Sequence, residues 1–169
     1  SVVAMIRVGE MFGKRDLINL RRIAYSLFLI ILIFDIFFCF IFLLFNEYLP
    51  WIYLSKTGDK SMSDVFQVIE ISSKLILISG FFQIFDGLQS VVLGALRGIQ
   101  DVLIPTVLIF IAYMLVGLPV SYYLGFNTHL GVVGIWIGLL FGLLTSSFFL
   151  LLRFSYDLNL MYKKSNLYL

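Results

Sequence analysis

The sequence predicts an all-α integral membrane protein with four transmembrane helices, and three observations predict it. First, 61% of the 169 residues are hydrophobic and 13% are charged, with a mean hydropathy of +1.03. A soluble domain is nearer half apolar and about a quarter charged. That much apolar side chain cannot be hidden inside a 19.4 kDa globule. Second, four continuous apolar runs each approach or exceed the roughly 20 residues a helix needs to cross a bilayer. Third, the basic residues flanking those runs gather on one side. The same numbers exclude a disordered chain, and a net charge of only +2 excludes nucleic-acid binding. Cys39 and His129 are the sole residues of their types, which excludes an internal disulfide, a zinc cluster and a multi-histidine metal site.

The first run spans about 23–45 and is interrupted only by Asp35. It exceeds the apolar core of a signal peptide. The stretch 46–64 carries Pro50, Gly58 and polar residues, with Tyr48, Trp51 and Tyr53 suited to the headgroup region. Ser61 or Ser63 is placed to cap the second helix. That second run, about 65–93, is the most polar of the four. A short turn over 94–101 leads to the third run, about 103–124, in which Pro105 is tolerated within the first turn and Pro119 predicts a kink. The turn 125–131 leads to the fourth run, about 132–152. Long continuous runs of this kind are not the ten-residue alternating segments of a membrane β-barrel. No linker is long enough to separate domains, so residues 1–169 read as a single transmembrane unit.

Nine of the twelve lysines and arginines fall on one side of these spans: Arg7, Lys14, Arg15, Arg21, Arg22, Arg97, Arg153, Lys163 and Lys164. Lys56 and Lys60 lie on the other, and Lys74 within the second span. The positive-inside rule then puts both ends of the segment in the cytoplasm, and the expected location is the bacterial cytoplasmic membrane.

An ionisable side chain at mid-membrane costs about 2.5–3.5 kcal/mol on insertion scales, so each one needs a reason. Glu70 and Lys74 stand four apart in the favoured acid-first order and read as an ion pair near the interface, with gating or ligand entry as the functional alternative. Asp86 is different. At 100° per residue, Ser72, Ser79, Gly80, Gln83, Asp86, Gly87, Ser90 and Gly94 share one side of the second span, and Arg97 continues the stripe. Such a stripe faces protein or a water-filled cavity, and its bland reading is helix packing. A carboxylate in it without a basic partner within one turn is suited to take and release a proton or to bind a small cation. Asp35 lies among Ile31, Phe34, Phe37 and Phe38 with no polar stripe; it either meets a partner on another helix or stays protonated. Gly134, Gly138 and Gly142 read as helix packing. His129 reads as a solvated loop residue. Nothing in the sequence resembles a nucleophile–base pair, a phosphate loop or a metal-ligand cluster, so an enzyme is not expected.

Several stretches resemble the multidrug and toxic compound extrusion (MATE) transporters. FFQIFDGLQS from Phe81 to Ser90, followed by GALRGIQD from Gly94 to Asp101, is similar to the tenth helix and its loop. IRVGE from Ile6 to Glu10, with Gly13, resembles the end of the eighth helix. YMLVGLPVSY from Tyr113 to Tyr122 resembles the eleventh, and GVVGIWIGL from Gly131 to Leu139 the start of the twelfth. The order and spacing cover essentially the whole chain.

The resemblance implies two six-helix lobes about a pseudo-two-fold axis, with these helices drawn from the second lobe, and a central cavity that opens alternately to each side. It implies that Asp86 is the ion-coupling acid for sodium or a proton and that Gln83 and Phe82 lie beside it on the cavity wall, joined by Ser79 and Ser90 from the stripe. Arg97 and Asp101 match the cytoplasmic loop signature, whereas Asp35 matches no family acid. No other cofactor is implied. The partners implied are the lipid bilayer, amphipathic or cationic small molecules, and an N-terminal lobe. The acid that sodium-driven members carry in helix seven would lie upstream of Ser1, and the chain starts inside a helix without an initiator methionine, so a fragment or truncated product is the expectation. The function so implied is cation-coupled antiport exporting drugs. A lipid-linked precursor flippase of related fold and a non-transporting four-helix scaffold are the alternatives.

Overall fold

A computed structural model of the chain describes residues 1–50 and 62–167. Trp51, Tyr53, Lys56, Gly58, Lys60 and Ser61 lie outside the described residues. Within them the chain is entirely helical: α1 (Val2–Gly13), α2 (Leu17–Phe45), α3 (Met62–Gly98), α4 (Leu103–Ile111), a π-helical segment (Ala112–Gly117), α5 (Leu118–Phe126) and α6 (Val132–Leu167). Four stretches are long and apolar enough to cross a membrane: Leu17–Phe45, Val68–Gly98, Leu103–Phe126 and Val132–Ser165.

Helices outrun the apolar runs that reveal them. Residues 132–152 were enough to expect a span, yet α6 continues to Leu167. At 1.5 Å per residue its 36 residues reach about 54 Å, well past a hydrocarbon core of about 30 Å. Its polar extension is held by Arg153, whose Nε lies 3.2 Å from Asp157 Oδ2 one turn on and 2.8 Å from Asp101 Oδ2. The Tyr162 hydroxyl adds a tie, donating to the Leu17 carbonyl at 3.0 Å.

At the basic end, α1 and α3 stop in the same way. Each is followed by a residue of positive φ, Arg15 (57°) and Gln100 (67°). The next residue's N–H reaches back five positions: Asp16 to the Met11 carbonyl at 3.1 Å, Asp101 to the Leu96 carbonyl at 3.0 Å. This is the Schellman closure, which satisfies carbonyls the helix leaves open. Each turn then delivers an aspartate. Asp16 caps α2, accepting from the Asn19 N–H at 3.1 Å, and this bond holds its carboxyl below the usual carboxylate range. Asp101 takes Arg153 instead.

α3 and α6 form the centre. α1 and α2 pack on α3, while α4, the π segment and α5 pack on α6. The buried core lies towards the basic end, where Val8, Leu20, Val92, Leu96, Leu150 and Phe154 meet without measurable exposure. Phe154 stands edge-on to Phe28 at 5.4 Å and to Tyr25 at 6.5 Å. Lipid tails offer no hydrophobic gradient between helices, so close van der Waals fit must hold them. Hence the glycines. A Cβ at Gly142 would lie 2.8 Å from Gly117 Cα, and one at Gly134 or Gly138 would collide with the backbone of Leu124 or Ser121. The glycine row of α6 is therefore a packing surface for α5 and the π segment, as its spacing leads one to expect.

Pro119 sits in the first turn of α5 and is preceded by the π segment. There the Leu118 N–H bonds the Tyr113 carbonyl, five residues back. The break expected at Pro119 is thus taken up one turn earlier, as a widened turn rather than a sharp bend.

Candidate functional site

The polar stripe of α3 divides three ways. Gly80 and Gly87 face α2: a Cβ at Gly80 would lie 3.3 Å from Cys39 Sγ, and one at Gly87 would overlap the Asp35 carboxyl. Gly94 faces α1, where a Cβ would collide with the Ser1 backbone. Asp86 faces neither and is exposed, as is Arg97 farther along the same line. Ser79 and Ser90, also near that line, are half-buried; the Ser79 hydroxyl donates to the Leu75 carbonyl of its own helix at 2.9 Å.

On one flank of Asp86 stands Gln83, half-buried on the same helix. On the other stand residues of α6 and the π segment. Phe82 meets Trp136 of α6 edge-on at 6.0 Å. Tyr113 of the π segment pairs with the Gln89 side chain and lies close enough to Asp86 to feel its charge. Gln89 Oε1 is buried without a hydrogen-bond partner. Ser147 of α6 donates to the Phe85 carbonyl at 2.9 Å and so pins α6 to this stretch of α3.

Asp86 is the accessible acid of this stretch, with the buried and unpaired Gln89 Oε1 one turn along the same helix. Hard monovalent cations and protons are received by oxygens of this kind. Among the described residues no group of three or more histidines, cysteines, aspartates or glutamates comes together as a metal site. A cation held at Asp86 would rely on hydroxyl, amide and backbone oxygens beside its single carboxylate.

Tyr113 and Gln89 were not singled out by sequence reasoning. Gln89 lies off the stripe by helical angle, and Tyr113 lies in the π segment, which shifts register by one residue. The second acid, Asp35, is 4% exposed. It belongs to the packed seam of α2, with Leu20, Ala24, Phe28 and Cys39. Glu70 and Lys74 do pair, at 2.7 Å, with both side chains more than half exposed; a pair so exposed contributes little to stability. They line one side of a cavity of about 560 Å³ with Asn46, Glu47 and Ser73. His129 is exposed in the turn before α6. Asp101 and Arg97, four residues apart, separate: Asp101, in the loop, is ion-paired with Arg153, and Arg97, in the last turn of α3, is exposed.

Residues 1–123 match the family model described as MatE. The chain is 34% identical over 149 residues to a probable multidrug resistance protein NorM of Rhizobium meliloti (strain 1021), covering 88% of this chain and 31% of that protein. It is 32% identical over 154 residues to the corresponding protein of Agrobacterium fabrum (strain C58 / ATCC 33970), covering 91% of this chain and 32% of the relative. The chain therefore spans about a third of the length of these relatives. Its fold is similar to that of a multidrug resistance MATE family transporter of the MOP superfamily solved in an inward-facing conformation. The TM-score is 0.80 at 15% identity, over 97% of this chain and 36% of that one. The four apolar helices, the arrangement around α3 and the match over most of the sequence agree: the chain belongs to the MatE family.

Proposed function

We propose that this chain supplies four helices of the second lobe of a twelve-helix antiporter. In this reading it exports amphipathic, mostly cationic organic compounds across the bacterial cytoplasmic membrane in exchange for sodium or protons, with both ends of the segment cytoplasmic. The relatives named above are multidrug resistance proteins, and the basic residues flanking the helices support the orientation. The observation that carries the reading is Asp86. It is a carboxylate inside a membrane helix, and it is exposed where its neighbour Gly87 is covered by α2.

Asp86 is the group that exchanges cation for substrate. With a proton or sodium bound, its charge is neutralised and the attraction for a cationic substrate is lost. With the cation released, the carboxylate becomes a counter-charge for that substrate. Each ligand stabilises the arrangement of the lobe that it binds better, which is all that alternating access requires energetically. The π segment is the adaptable element of this lobe, because its backbone bonds are already re-registered.

The experiment is Asp86→Asn in the full-length transporter, read as drug accumulation in energised cells. Efflux should fall to the level of cells lacking the protein, with membrane insertion unchanged. Normal efflux in that variant would overturn the assignment.

A further inference from the structure

Asp35 has no role in the exchange just described, and its surroundings give it one. Its carboxyl lies between α2 and α3, 4% exposed, with Oδ2 buried and without a hydrogen-bond partner. From α3 it is met by the bare backbone at Gly87, with the half-buried Gln83 and the exposed Asp86 on either side of the same stretch of helix. From its own helix the nearest titratable group along the seam is Cys39, one turn away, whose Sγ rests against Gly80. Among the described residues no lysine, arginine or histidine pairs with Asp35.

The seat is shaped for a carboxyl and not for its charge. Gly87 leaves the space that the carboxyl fills, since any side chain there would overlap it. A seat that leaves Oδ2 buried and unpaired does not compensate a negative charge there. A carboxylic acid, by contrast, is uncharged and has the size of the slot.

We propose that Asp35 is a proton-binding site separate from Asp86, holding its proton while α2 is seated on α3 and releasing it to water when that contact opens. The step is a plain protonation: a carboxylate and a proton from the aqueous phase give the acid, and opening reverses it. Loosening of α2 from α3 is thereby tied to proton release at a place that substrate does not occupy. Only the use of this proton in transport rests on the antiporter reading; the protonation itself does not.

The test is infrared spectroscopy of the chain in lipid vesicles at pH 7, in water and in deuterium oxide. A carbonyl stretch of a protonated carboxylic acid, shifted by deuterium, is expected in the parent chain. It should persist in Asp86→Asn and vanish in Asp35→Asn. The asparagine is neutral and nearly the same shape, so this variant is expected to insert and melt like the parent. Asp35→Ser, which shortens the side chain, serves as the second variant should the first fail to insert. Absence of the band in the parent, its survival in either inserted Asp35 variant, or its loss on adding sodium at constant pH would overturn the proposal. Failure of Asp86→Asn to affect efflux would overturn the coupling role of Asp86 and leave this result standing.

Discussion

α3 has a closed side and an open side, and each carries or meets an aspartate. On the closed side Asp35 of α2 is lodged against Gly87, out of contact with solvent. On the open side Asp86, one residue before Gly87, is exposed. Both acids interrupt apolar helices at similar depth, and hydropathy treats them alike. What separates them is the neighbouring helix: α2 covers Asp35 and Gly87, whereas Asp86 is left exposed among the described residues. An intramembrane charge thus takes its role from what packs on it, with the helix that bears it a secondary matter.

The comparison is broken most severely at Gly87. Gly87→Ala should destabilise the α2–α3 contact by about 3 kcal/mol, at the upper end for overpacking, because the added methyl overlaps a carboxyl rather than a flexible chain end. Asp35→Ala should recover part of that loss in a double-mutant cycle, read from thermal melts in detergent. Ser90→Ala, near the open line, should shift the same melts by less than about 0.5 kcal/mol. Equal costs on the two sides would remove the distinction.

A second contrast sharpens it. Arg153 holds Asp101 at 2.8 Å and Asp157 at 3.2 Å, with all three side chains less than a quarter exposed. Here half-buried acids have the cation that Asp35 lacks. Arg153→Met should cost about 1–3 kcal/mol by leaving both carboxylates uncompensated, somewhat below the loss for a fully buried pair. A melt unchanged within error would show that this cluster, too, is indifferent to its charge.

The smallest effect belongs to Asp16. The Asn19 N–H holds its carboxyl below the usual carboxylate range. The cap therefore stabilises α2 at and above ordinary carboxylate titration and is lost as pH falls through the depressed native value. Amide exchange at Asn19 and Leu20, corrected for intrinsic rates, should quicken relative to mid-helix as the pH is lowered into that range. In Asp16→Ala that extra change should be absent.

The stripe on α3 was legible from sequence because 100° per residue collects its polar and small residues on one side of the helix. Its division between α2, α1 and open space was not, since that depends on which helix lies where. The seam of α2 was hidden for a related reason. Leu20, Ala24, Phe28 and Cys39 are packed while Phe34, Phe37 and Phe38 are exposed, and all are apolar. In a membrane helix the packed and lipid-facing sides share one chemistry, so periodicity loses its contrast. Asp35 was visible as an anomaly, but the glycine that receives it lies 52 residues away. The π segment left only an indirect trace in Pro119, because the backbone absorbs the missing N–H upstream of the proline itself.

The most direct test of the account is cation movement driven by substrate, measured in proteoliposomes holding the full-length transporter at fixed membrane potential. Drug added on one side should draw sodium or protons from the opposite side towards it in the parent protein, and Asp86→Asn should bind cationic drug more weakly and move no cation. Substrate-driven cation flux that survives in Asp86→Asn would contradict the account at its centre.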